Sequence, residues 1–120
     1  MTKPKPTRSD DAYVDDILVA ARAIHAYMRG VTQERFVRDR QKVDAVIRQI
    51  GIIGEAAGHL SAAFRAKYPG IPWHEITKMR HIVVHQYWDV KLEIVWDVAT
   101  QGTPDLLKRL EPHPATPKKG

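Results

Sequence analysis

The chain has 120 residues, 43% of them hydrophobic, which allows one domain with a modest core. It contains no cysteine, which excludes disulfides and thiolate metal sites and fits a reducing, cytoplasmic compartment. No apolar run approaches the roughly 20 residues of a membrane span, Thr2-Lys3-Pro4-Lys5-Pro6 behind Met1 does not read as a secretory signal, and the formal charge of +5, inflated by lysines in both tails, leans toward nucleic acid or another polyanion.

Helical spacing accounts for most of the chain. Residues 1–9, with Pro4 and Pro6 among lysines, read as a disordered arm. Ser9 or Asp10 is placed to cap a first helix. Its inward residues are Tyr13, Ile17, Ala20, Ala21, Ile24 and Met28, and Gly30 ends it as a C′ glycine would. Thr32 caps a short second helix around Phe36 and Val37. Asp39 caps the longest helix, expected to run to about Tyr68 with Val43, Val46, Ile47, Ile50, Ile53, Ala57, Leu60 and Phe64 inward. Gly51, Gly54 and Gly58 lie along one side of it, each costing about 1 kcal/mol relative to alanine. Such a row predicts close approach of another helix, and Glu55 stands among these glycines. Pro69-Gly70 stops the helix.

Pro72 opens the next helix, with Ile76, Met79, Ile82 and Val83 inward. Asp89 is the expected cap of a following helix with Leu92, Ile94, Val95, Val98 and Ala99 inward. Gly102-Thr103-Pro104 is expected to interrupt it, with Thr103 capping a short last helix that buries Leu106, Leu107 and Leu110. After Glu111, residues 112–120 read as a disordered tail. There is no strand-like alternation and no repeat. The expectation is one all-α domain over residues 10–111, an up-and-down bundle of about five helices.

The helix opened by Pro72 carries the densest chemistry. Met79-Arg80-His81-Ile82-Val83-Val84-His85-Gln86-Tyr87 threads an arginine, two histidines and a tyrosine through apolar residues. A guanidinium suits phosphate, and an imidazole can carry a proton either way near neutrality. Together they are what transesterification of an RNA phosphodiester needs. His85 would move the proton of the ribose 2′-hydroxyl or of the leaving oxygen, and Arg80 would hold the phosphate and its developing charge. The nucleophile belongs to the substrate, so no metal or other cofactor is required and DNA is excluded. A helix advances about 100° per residue, so Arg80 and His85 stand about 140° apart. Either the helix loosens near His85, or the arginine stem reaches round, or two chains each bring a copy to a shared cleft at a two-fold axis.

Plainer readings compete. Arg80 could be a surface arginine paired with a carboxylate, His85 a satisfied histidine at a helix end, and Tyr87 a core-edge tyrosine. Glu55 could be a buried helix-packing acid paired with Arg48 or a partner arginine. His74, His81 and His85 share a helical face, as a metal triad would, but the spacing is not that of a zincin. Trp73, Trp88 and Trp96 fit the core edge or an interface between copies, with base stacking by Trp88 as the alternative.

Arg80-x4-His85-x-Tyr87 matches the Arg-x4-His-x-Tyr signature of the HepT-like toxins, a branch of the HEPN superfamily. Asp44-Ala45-Val46-Ile47-Arg48, Ile53-Gly54-Glu55-Ala56-Ala57, Lys67-Tyr68-Pro69, Ile71-Pro72-Trp73 and Leu92-Glu93-Ile94-Val95-Trp96 also resemble that family, and the resemblance covers about Ala12 to Leu110. It implies a HEPN-like helical fold and a metal-independent endoribonuclease toxin. It also implies a homodimer with one cleft built from paired motifs, and Arg80 and His85 in the catalytic positions. A minimal nucleotidyltransferase antitoxin, MNT or MntA, would be the partner and would silence the toxin by transferring AMP to Tyr87, since a bulky anion there would occupy the place of the RNA phosphate. His81 departs from the pattern, where relatives more often carry asparagine or aspartate; it is an accessory candidate beside Glu55. The alternative to a nuclease is a non-catalytic helical subunit that binds the nucleotidyltransferase or nucleic acid.

Overall fold

A computed structural model of the chain describes residues 8–85 and 91–113, with residues 81–85 described in backbone only. The described residues form α-helices and short turns. In chain order they are α1 (Asp10–Met28), α2 (Gln33–Arg38), α3 (Arg40–His59), α4 (Ala62–Lys67), α5 (Trp73–His85), α6 (Leu92–Asp97) and α7 (Thr103–Leu110), with a π-helical turn at Val98–Gly102 joining the last two. The all-α bundle is as expected. Its centre is α3, which packs against α1 on one side and α5 on another, while α7 returns to lie on α1.

The apolar stripes fill the core. Ile17, Leu18, Ile24, Val46, Ile53 and Leu110 are almost fully buried, with Phe36 of α2 closing one end. The caps follow the sequence. Ser9, Thr32 and Asp39 accept hydrogen bonds from the backbone N–H groups of Ala12, Arg35 and Lys42. Gly30 adopts φ +69°, the left-handed conformation that ends α1 after Arg29.

Three expectations fail for identifiable reasons. The longest helix does not reach Tyr68. It ends at His59, Leu60 turns extended at ψ 143°, and Ser61 caps α4 by accepting from the Phe64 N–H. Asp10 clasps this break, one carboxylate oxygen accepting from the Ser61 N–H at 2.8 Å and the other from its hydroxyl at 2.7 Å. The turn therefore depends on a residue 51 positions away, which local spacing could not reveal. Thr103 is not a cap. The chain passes Gly102-Thr103-Pro104 without leaving helical angles, by widening into the π turn. The Thr103 N–H and hydroxyl both donate to the Val98 carbonyl, and the wider turn makes room for a proline ring that would clash in a regular helix. Ile94 is not inward but 46% exposed. α6 turns Leu92, Val95 and, through the π turn, Ala99 toward the core instead. The expected cap Asp89 and the indole of Trp88 lie outside the described residues. Trp73 is buried, and Trp96 packs its ring on Phe36 at 5.7 Å.

The packed body includes Arg8 and His113, which the sequence assigned to the arm and the tail. Arg8 pairs with Asp16. His113 is wedged between Asp11 and the Tyr68 hydroxyl, its ring edge-on to Phe64. No helix among the described residues is long and apolar enough to cross a membrane.

Candidate active site

The site is assembled where α5 crosses α3. The Pro72 carbonyl accepts the first helical bond of α5, from Ile76. Trp73 anchors that end, its indole donating to the Tyr68 carbonyl. With Trp73 and Ile76 buried, Arg80, four residues past Ile76, falls against α3 as well. The glycine row acts there through Gly54. A Cβ on Gly54 would stand 3.0 Å from the Arg80 Cβ, 3.1 Å from its backbone N and 3.2 Å from the Ile76 carbonyl oxygen. Gly58 is less confined, with Thr77 at 3.5 Å.

That close crossing brings Arg80 and Glu55 together. Arg80 Nη1 donates to Glu55 Oε1, and the other carboxylate oxygen takes a bond from His59 Nε2 at 3.0 Å. Hydrogen bonding from Arg80 first, and from His59 second, holds the Glu55 carboxyl below the ordinary carboxylate range. Glu55 is thus not the buried acid of the plainer reading, nor paired with Arg48. About half of its side chain is exposed, as is 45% of Arg80. The clasp occupies one donor of a guanidinium fork that has five, so Arg80 remains open to an anion from the solvent side.

Both residues line an open groove of about 570 Å³ along the flank of α3, shared with Arg8, Tyr13, Arg48 and His59. The Tyr13 and His59 rings stack within it, centroids 5.0 Å apart and nearly parallel at 11°, and the Arg8 guanidinium lies 4.7 Å from the Tyr13 ring centre. Sequence reading missed this groove. The spacing of Arg48, Glu55 and His59 on one helical face was available, but Tyr13 and Arg8 reach it only through the fold.

The backbone is α-helical from Arg80 to His85. The side chains of His81 and His85, and Tyr87 altogether, lie outside the described residues. Among the described residues there is no group of three or more His, Asp or Glu side chains that could hold a metal ion.

The family model for ribonuclease HepT-like proteins matches residues 17–112. The chain belongs to the HepT-like ribonuclease family. Two proteins of Methanocaldococcus jannaschii, both provisionally named RNases, are 32% identical over 106 residues (88% of each chain) and 30% identical over 104 residues (87% of this chain, 95% of the other). A probable ribonuclease HepT of Thermococcus cleftensis is 34% identical over 104 residues, 87% of this chain and 94% of its own. No solved structure matches. The family match takes in both Arg80 and Glu55, so the crossing of α3 and α5 belongs to the part of the chain shared with HepT-like ribonucleases.

Proposed function

We propose that this protein is a metal-independent endoribonuclease of toxin type, active as a homodimer whose two α5 helices frame one cleft. Arg80 binds the scissile phosphate and the charge that develops on it. His85 moves the proton between the ribose 2′-oxygen and the leaving oxygen. His81 lines the rim of the cleft, and Glu55 orients Arg80. The observation that carries this reading is the unbroken helix through the Arg80-x4-His85 motif, with Arg80 tied to α3. A regular helix keeps the two residues about 140° apart, and the clasp directs the arginine stem toward Glu55. Of the three ways to bring the pair to one phosphate, that geometry favours two chains.

Tyr87 stands two positions past His85, and a nucleotidyltransferase antitoxin that adenylylates it would place a phosphate beside the RNA-binding arginine. Purified protein should cut RNA in the presence of a chelator and leave an all-DNA strand of the same sequence whole. His85→Ala should abolish cutting without loss of helicity. Intact RNA after incubation with a well-folded dimer would overturn the nuclease reading and leave a binding subunit in its place. Intact mass after co-expression with a nucleotidyltransferase should gain AMP on the wild type and not on Tyr87→Phe.

A further inference from the structure

The flank of α3 offers more than a seat for one phosphate. Arg48, Glu55 and His59 recur on one face of that helix, and Arg80 meets the middle of the row through Glu55. At about 1.5 Å per residue, Arg48 lies about 10 Å along the axis on one side of Glu55 and His59 about 6 Å on the other. Charge along the groove is uneven. Arg8 is neutralised by Asp16 and Arg80 by Glu55, whereas Arg48, exposed on the wall, has no hydrogen bond or ion pair to any of the described residues. At the other end Arg8, Tyr13 and His59 form a column of flat groups. Half of the His59 side chain faces solvent, which puts it within reach of another flat ring. A lone cation on one side of the phosphate seat and an aromatic stack on the other are the two elements with which proteins hold a single strand.

We propose that this groove is a track for single-stranded RNA, in which Arg48 grips a phosphate on one side of Arg80 and the Tyr13–His59 stack takes an unpaired base on the other. The track rests on the ribonuclease reading, since it supposes that the strand crosses Arg80 to be cut. It implies that paired RNA is a poor substrate, because a base in a duplex is not free to join the column.

The test measures binding and cutting separately. Binding uses a fluorescent six-nucleotide 2′-O-methyl RNA, which has no 2′-hydroxyl to react, followed by anisotropy across a salt series. Arg48→Glu should weaken binding about tenfold and flatten the plot of log affinity against log salt by about 0.7 for the phosphate contact it removes. His59→Ala should weaken binding by at least about fivefold and leave the salt slope unchanged. His59→Phe should restore most of that loss, because phenylalanine keeps the flat ring while losing the hydrogen bond to Glu55. Lys108→Glu, exposed on α7 and not among the residues that line the groove, carries the same charge change as Arg48→Glu and should behave as wild type. Unchanged binding in both Arg48→Glu and His59→Ala would overturn the track, as would failure of His59→Phe to rescue or absence of binding by the wild type. Cutting of the unmodified strand distinguishes the two proposals. A wild type that cuts while the variants bind normally keeps the nuclease and loses the track. A wild type that binds through Arg48 and His59 without cutting keeps the track and loses the nuclease.

Discussion

The glycine row makes a prediction in which two similar substitutions separate in stability. Gly54→Ala and Gly58→Ala both replace a helical glycine of α3, and both gain about 1 kcal/mol from helix propensity. At Gly58 the new methyl meets only the Thr77 Cγ2 at 3.5 Å, an ordinary contact, so that gain should survive. At Gly54 the methyl meets the Arg80 backbone N at 3.1 Å and the Ile76 carbonyl oxygen at 3.2 Å. Neither neighbour is the end of a flexible side chain, so α5 as a whole must move by a few tenths of an ångström. Overpacking of this kind costs about 1–3 kcal/mol, which offsets or exceeds the propensity gain. The two variants should therefore differ by about 1–3 kcal/mol, with Gly58→Ala the more stable. At about 4–8 °C per kcal/mol for a domain of this size, that is a separation of at least about 4 °C in Tm.

Paired urea titrations of the two variants and the wild type measure it, with equal slopes confirming that only stability has changed. Gly54→Ala as stable as Gly58→Ala would refute the close crossing of α3 and α5. The same displacement lifts Arg80 from Glu55, so Gly54→Ala should also lower RNA cleavage while Gly58→Ala leaves it near wild type.

Other outcomes follow from single contacts. Asp10→Ala removes both bonds that hold Ser61 at the break after α3 and should cost about 1–2 kcal/mol in denaturation. Those bonds keep the Asp10 carboxyl below its ordinary range. A carboxyl whose folded pKa is lowered stabilises above its unfolded value and loses that contribution as pH falls through the folded one, so the penalty of Asp10→Ala should shrink below about pH 4. His113→Ala, which empties the wedge between Asp11, Tyr68 and Phe64, should cost about 1–2 kcal/mol by the same titration. Glu55→Ala frees Arg80 and should lower kcat about tenfold with circular dichroism unchanged; an unaltered kcat would reduce the clasp to scaffolding. Because the Glu55 carboxyl is also held low, the clasp is intact at neutral pH and lost only as the solution becomes strongly acidic.

The legible parts of the fold were those set by neighbours in sequence. A cap needs a side-chain oxygen three residues before an amide, so Ser9, Thr32 and Asp39 could be read directly. A buried stripe needs only its period, so the inward residues of α3 and, from Ile17 to Met28, those named for α1 were correct; Tyr13 instead lines the groove, and Val14 and Leu18 are buried beside the stripe. What failed depended on partners far along the chain. Ser61 resembles a tolerated serine inside a helix until Asp10 accepts from it. Gly102-Thr103-Pro104 carries every local sign of a break, yet a π turn accommodates the proline by widening the backbone ladder, with the Thr103 N–H reaching the Val98 carbonyl, and Leu106 and Leu110 then remain in the core.

The site divides along the same line. The motif drew notice because its residue types fall close together in sequence, but the setting of Arg80 could not be read there. Glu55 was noticed for standing among glycines and was expected to be buried. The glycines themselves explain why it is not: by letting α5 approach, Gly54 brings the Arg80 stem to the edge of α3, where a neighbouring carboxylate reaches the guanidinium without leaving water. An exposed pair of this kind contributes little to stability, and its half-open geometry leaves most of the guanidinium fork free. A phosphate arriving from solvent can therefore engage Arg80 without first stripping it from a buried partner, which would leave an uncompensated charge. The glycine that costs α3 helix propensity is thus what keeps the arginine both oriented and accessible.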